Sequence, residues 1–247
     1  MGLRARLAAL ADKNDVVYSF VTTPAAWFSA AVLVVLVAAA LLAPWLSSVN
    51  PFDLGSLDVT DAHLPPAWTE EGDARFWLGT DDQGRDLLSA ILYGLRLSLS
   101  ISLVSVALSI VIGVGLGVTA GFAGGWIDTV LMRVCDVMLS FPAILVALLV
   151  DGILRSAFPG AAHESVAYFV LIFAITLSGW VPYARTVRGL TLVEKGKEFV
   201  MAAELIGEKK LTVMRRHILP NVLGPVFVLA AVNVATAVMT EATLSFL

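Results

Sequence analysis

Charged side chains are scarce: Asp, Glu, Lys and Arg together make up 15% of the 247 residues, against 58% hydrophobic. A soluble domain carries about a quarter charged residues to cover its water-facing surface. A mean hydropathy of +0.87 excludes that class and makes lipid the expected solvent. Cysteine is nearly absent as well. Cys135 alone cannot form an internal disulfide, and His63, His163 and His217 are scattered without the close spacing of a zinc site, so no metal site and no redox chemistry are expected. No GxxxxGK[ST] phosphate loop occurs, so the chain lacks the backbone cradle that ATP hydrolysis needs. A net charge of −4 argues against nucleic acid as a partner. An intramembrane enzyme needs a converging acid and base or a set of ligands. Asp136 and Asp151 are about 15 residues apart, roughly 22 Å along a helix, and no histidine joins them, so no catalytic residue is expected.

What the sequence has instead is long apolar runs. Residues 27–46 form the first, of the length that crosses a hydrocarbon core and longer than the apolar stretch of a cleavable signal. Four more follow at about 97–120, 137–154, 165–184 and 222–240. They are continuously apolar rather than alternating, which points to helices and not barrel strands. The expected fold is an all-α integral membrane bundle with five spans.

Lysine and arginine set the orientation. The connection 185–221 carries Arg185, Arg188, Lys195, Lys197, Lys209, Lys210, Arg215 and Arg216 and is expected to face the cytoplasm. Residues 47–96 are acidic, with Asp53, Asp58, Asp61, Glu70, Glu71, Asp73, Asp81, Asp82 and Asp86 against Arg75, Arg85 and Arg96, and are expected outside. Alternation then places residues 1–26, with Arg4, Arg6 and Lys13, in the cytoplasm. The sequence stops inside an apolar stretch, 242–247, so a further C-terminal span is expected beyond it.

Gly113, Gly117, Gly121 and Gly125 recur every four residues, a small-residue stripe that lets helices approach closely, with Gly124 and Gly125 favoured as the helix end. Asp136 and Asp151 are expected to mark the two ends of the third span, and Asp136, Asp151 and Glu241 all need water, a partner or an interface. Pro142, Pro182 and Pro225 lie within or just inside spans, where proline removes a backbone hydrogen bond.

The most patterned polar stretch is 198–221, EFVMAAELIGEKKLTVMRRHILPN. Phe199, Ala202, Ala203 and Ile206 fall at helical spacing as one apolar face, with Glu198, Glu204 and Glu208 mostly opposite. Gly207 permits a reversal. Leu211, Met214 and Ile218 form a second stripe, and Pro220 is expected to break the helix before the next span. The reading is a surface-lying helical hairpin, either an interfacial element or a docking knob for a cytoplasmic partner.

This segment resembles the EAA loop of ATP-binding-cassette importer permeases, with Glu198, Ala202, Ala203, Gly207, His217, Leu219 and Pro220 as the coupling-loop positions; Met201 departs from the glutamate of the general pattern. A second block, Gly79-Thr80-Asp81-Asp82-Gln83-Gly84-Arg85-Asp86, resembles the signature before the second span in the dipeptide, oligopeptide and nickel branch. From the residues alone, Asp82 is expected to cap a helix beginning near Gly84. Gly121–Gly125, Asp128, Met132-Arg133, Asp136, Pro142 and Glu241–Leu247 continue the resemblance in order.

The resemblance implies a MetI-like helical bundle of six spans in a bacterial inner membrane. It implies a second permease, two ATPase subunits that bind the ATP, and a periplasmic peptide-binding protein. Alternatives are nickel or another small solute as cargo, or a secondary transporter driven by protons through Asp151 or Glu241.

Overall fold

The computed structural model describes residues 20, 22–47, 49–53, 55, 58–157 and 163–246. Most of the expected cytoplasmic segment 1–26 lies outside them. Among the described residues the regular structure is helical, with one isolated bridge between Thr80 and Asp86. The chain divides into two compact units, Met1–Leu97 and Ser98–Leu247.

The first unit begins with α1, Pro24–Leu46, where Pro24 stands at a position whose N–H has no helical partner. An irregular segment that includes a 3₁₀ turn at Val59–Asp61 leads to the start of α2, Leu87–Ala123. The Ser47 hydroxyl, just after α1, donates to the Ser89 hydroxyl at 2.7 Å and ties the end of one helix to the start of the next.

In the second unit the remainder of α2 is followed by α3, Gly125–Ser140; α4, Ala143–Ala157; α5, His163–Lys195; α6, Glu198–Leu205; α7, Lys210–Val213; a π-helical turn, Met214–Ile218; and α8, Leu219–Phe246. Its core draws on Ile101, Val114, Val118 and Phe122 of α2, Tyr183 and Val187 of α5, and Val222 and Val226 of α8.

Among the described residues four helices are long and apolar enough to cross a membrane: Pro24–Leu46, Leu87–Ala123, Ala167–Lys195 and Lys210–Phe246. The third expected span is not one straight helix. Gly125–Ser140 and Ile144–Val150 meet at 86°, and counting the bent pair as one span gives five. Phe141 is extended (φ −98°, ψ 129°) because the residue before a proline avoids the α region, and Pro142 cannot donate back to the preceding turn. Asp136 and Asp151 therefore lie on different helices, not at the two ends of one. The other helices outrun their apolar stretches, since hydropathy registers the lipid-facing length and not where the helix ends.

The glycine stripe is a packing surface, and it stops short of Gly125, which has φ +54° and opens α3 instead of continuing α2. A Cβ at Gly113 would lie 2.5 Å from the Trp180 carbonyl, at Gly117 2.6 Å from that of Ala184, and at Gly121 2.7 Å from Thr191 Cβ. The backbones of α2 and α5 thus touch over about two helical turns, where dispersion and excluded lipid replace the hydrophobic effect as the cohesive force. Over the three preceding turns of the same face, Ser102, Ser105 and Ser109 are buried, and the Thr176 hydroxyl donates to the Ser105 carbonyl at 3.4 Å. Glu241, expected to need a partner, is 2% exposed and accepts from the Ser245 hydroxyl at 2.8 Å.

Candidate functional site

The connection between α5 and α8 forms a knob. α6 ends at Gly207, whose φ of +87° only glycine adopts without strain; the Gly207 N–H donates to the Glu204 carbonyl at 3.0 Å and the Glu208 N–H to that of Ala203 at 3.1 Å. The expected apolar face of this hairpin is corrected by the structure. Val200 and Ala203 turn inward to join Val213 and Ile218 in the core, while Phe199, Ala202 and Ile206 point outward. An eight-residue helix is too short for spacing alone to fix its phase. The second stripe divides likewise: Ile218 is fully buried and Leu211 is 63% exposed.

The result is a hook with an anchored base and an apolar tip, Leu205 and Ile206 being 88% and 84% exposed. Glu198 and Gly207 are exposed; His217 and Leu219 are half-buried. His217 Nε2 lies 3.1 Å from Glu208 across the turn.

Pro220 does not break the helix. The Leu219 N–H reaches back five residues to the Met214 carbonyl, and the π-turn carries the chain from α7 into α8 without interruption. Widening the turn by one residue alters which carbonyls need a partner, and the Asn221 side chain donates to the His217 carbonyl at 2.8 Å. The hook is thus rigidly continuous with a helix running from Lys210 to Phe246.

The first unit holds the second block. Here the cap is Asp86, not Asp82: its carboxylate accepts from the Leu88 and Ser89 N–H groups at 3.3 and 3.1 Å and from the Ser89 hydroxyl, so the helix starts at Leu87. Asp82 is exposed. Asp81 organises the preceding turn, accepting from the N–H groups of Gln83 and Arg85, each at 2.8 Å. Gly84 has φ +76°, and a Cβ there would strike the Asp58 carbonyl. Thr80 accepts from the Leu64 N–H at 2.9 Å and donates to the Asp61 carbonyl, and the Gly79 carbonyl receives the Leu87 N–H at 3.1 Å. Arg85 reaches the Gln83 side chain, and its Nε is buried without a protein partner. The block is a folded strap over the start of α2. Nearby, Arg75 donates to Asp73 and Asp61, and its hydrogen bonds hold the Asp73 carboxyl below the usual carboxylate range.

Spacing gave no sign of the cross-links between α3 and α5. Arg188 grips Asp128 through two nitrogens, Nη2 to Oδ2 at 2.6 Å, and Arg185 lies 3.5 Å from Asp136. Lys195 donates to the Phe122 carbonyl at 2.7 Å at the end of α2. Because Lys is a point charge, Arg188→Lys cannot reproduce the fork. The Arg188→Lys and Asp128→Asn variants should each lower stability by about 1.5–3 kcal/mol. A double-mutant cycle on detergent-solubilised melting should show the two losses to be non-additive.

The model of the binding-protein-dependent transport system inner membrane component family matches residues 113–247, and that of the N-terminal transmembrane domain of oligopeptide transport permease C matches residues 14–66. The chain belongs to this family. Its members are the membrane permease subunits of ATP-binding-cassette importers, and the all-helical, multi-pass architecture agrees. The dipeptide transport system permease protein DppC of Haemophilus influenzae is 33% identical over 207 residues, 84% of this chain and 66% of that protein. The oligopeptide transport system permease protein OppC of Bacillus subtilis is 32% identical over 234 residues, 95% of this chain and 70% of that one. The glutathione transport system permease protein GsiD of Pectobacterium atrosepticum is 37% identical over 171 residues, 69% and 54%. The permease described here thus spans 54–70% of the length of these relatives.

Proposed function

We propose that the chain is the permease subunit of an ATP-driven importer of di- and oligopeptides, set in a bacterial inner membrane with its N-terminus in the cytoplasm. It pairs with a second permease to form the path, takes cargo from a periplasmic binding protein, and is driven by two ATPase subunits that bind the ATP. The observation that carries this reading is the hook: an apolar tip at Leu205 and Ile206 on a base whose Val200 is fully buried. Two adjacent aliphatic side chains this exposed at the end of a short helix favour a surface that something else covers, and a helix that fits an ATPase groove meets that need. Basic residues flanking it at Lys209, Lys210, Arg215 and Arg216 favour the cytoplasmic side.

Coupling is mechanical in this account. The expected coupling positions Glu198, Ala202, Ala203, Gly207, His217, Leu219 and Pro220 divide between tip, base and lever, and displacement of the tip tilts the continuous α7–α8 rod against the α2–α5 pair. The strap Gly79–Asp86, with Thr80, Asp81, Gly84 and Arg85, fixes where α2 begins. Relatives named for dipeptide, oligopeptide and glutathione transport favour peptides over nickel as cargo.

The test is uptake of a labelled dipeptide by proteoliposomes holding the complete complex. Uptake should require ATP and persist when an ionophore collapses the proton gradient. Uptake that stops with the gradient would refute the reading in favour of proton coupling, and nickel uptake without peptide uptake would refute the cargo.

A further inference from the structure

The two arms of the hook are not held in the same way. α6 follows closely on α5 and is tied back to it, because Lys197 at its N-cap donates to Glu194 Oε1 at 2.6 Å. The second arm starts at an open turn, where a Cβ added at Gly207 would meet no atom within 4 Å. Val200 and Ala203 of the first arm pack on Val213 and Ile218 of the second, but apolar contact is non-directional and by itself lets one helix slide on another.

A polar contact fixes the register. His217 Nε2 lies 3.1 Å from Glu208 Oε2, nine residues earlier. Glu208 stands before α7 and His217 in the π-turn after it, so the contact closes around that short helix. A carboxylate only accepts, so Nε2 carries the hydrogen. The same imidazole faces the Phe199 ring of α6, with centroids 6.4 Å apart, and the His217 carbonyl receives the Asn221 side chain at 2.8 Å. One half-buried residue thus meets the first arm, the turn and the start of α8. A hydrogen bond constrains both distance and angle, which packing alone does not.

We infer that the Glu208–His217 contact is a clasp that makes the hook move as one body with the α7–α8 rod, and that these two positioning residues set how much cargo crosses for each ATP hydrolysed. This rests on the ATPase-coupling reading proposed above. Docking belongs to the apolar tip at Leu205 and Ile206, so a hook without its clasp still binds the ATPases but yields under load and loses the stroke.

The experiment measures uptake of a labelled dipeptide and ATP hydrolysis in the same proteoliposomes holding the complete complex. Glu208→Ala and His217→Leu should each lower the peptide carried per ATP by about tenfold, the effect of one lost hydrogen bond to a charged group, while the ATPases still co-purify and still hydrolyse. Combining the two should lower the ratio no further, since either change alone opens the clasp. His217→Gln should recover most of the ratio, because the glutamine amide nitrogen stands about where Nε2 does and also donates. The exchanged pair, Glu208→His with His217→Glu, should recover part of it. Glu208 is half-buried in the turn, outside the hydrophobic core, so its variant decides the matter if His217→Leu assembles poorly. An unchanged ratio in Glu208→Ala overturns the inference. Loss of ATPase co-purification in that variant overturns it too, by placing Glu208 in the docking face. Additive losses in the double variant do the same, because they show two independent roles. A wild type whose uptake does not depend on ATP defeats the coupling reading itself, whereas a coupled wild type with indifferent variants defeats the clasp alone.

Discussion

Replacing Leu205 and Ile206 together with aspartate should lower ATP-driven uptake by about 100-fold or more, which corresponds to roughly 2.7 kcal/mol, while the protein still inserts and folds. Both side chains are exposed at the tip of the hook, at 88% and 84%, so their loss removes no internal packing. Burying one aliphatic side chain in a partner groove contributes about 1.5–3 kcal/mol, and two carboxylates in that groove would add an unpaired desolvation cost. Ala203→Arg should also abolish ATPase association, for a different reason. Ala203 is 7% exposed within the cluster of Val200, Val213 and Ile218, and a guanidinium there unseats α6 from its base. Gly207→Val forces a β-branched residue to φ +87° and reorients the tip. Co-purification of the ATPases should fail in all three, but limited proteolysis near residue 205 should be altered only in the two that disturb the base or the turn.

Gly117→Leu should prevent recovery of a folded permease altogether. A Cβ at Gly117 would sit 2.6 Å from the Ala184 carbonyl and 2.8 Å from Val187 Cβ, so α2 and α5 must separate along the contact that includes Gly113 and Gly121. Overpacking costs about 1–3 kcal/mol where a core can yield; here the obstruction is backbone and the remaining leucine atoms find no space. Gly115 is the control. It lies on the open side of the same helix, where an added methyl group would meet nothing within 4 Å, so Gly115→Ala should be tolerated and should melt at or slightly above the wild-type temperature. Size-exclusion profiles and thermal melts in detergent distinguish the two.

Much of this architecture is legible in the sequence because lipid imposes a strict rule: an apolar run long enough to cross it must be a helix. The rule reads length and not direction, which is why the third span, continuous in hydropathy, hid its 86° bend at Phe141 and Pro142. Pro220 misled for a related reason. A proline ends a helix only when the bond it removes cannot be rerouted, and the π-turn Met214–Ile218 with the Asn221 side chain reroutes it. The hook was recognisable as a hairpin from Gly207, yet which residues formed tip and base was not, since the burial of Val200 depends on contacts with Val213 and Ile218 beyond the turn. The grip of Arg188 on Asp128 joins positions 60 residues apart and leaves no periodic trace. In the Gly79–Asp86 strap, Asp81, Asp82 and Asp86 look interchangeable as caps, and only the start of α2 at Leu87 selects Asp86.

The account depends on the hook facing the compartment that holds ATP, and accessibility at its tip tests this most directly. In a chain with Cys135 replaced by alanine, Leu205→Cys supplies one exposed thiol at the end of α6. A membrane-impermeant maleimide should label it in inside-out vesicles stripped of the ATPases, and adding the ATPases back should protect it. Labelling from the outer surface of intact cells, or labelling indifferent to the ATPases, would contradict the coupling role.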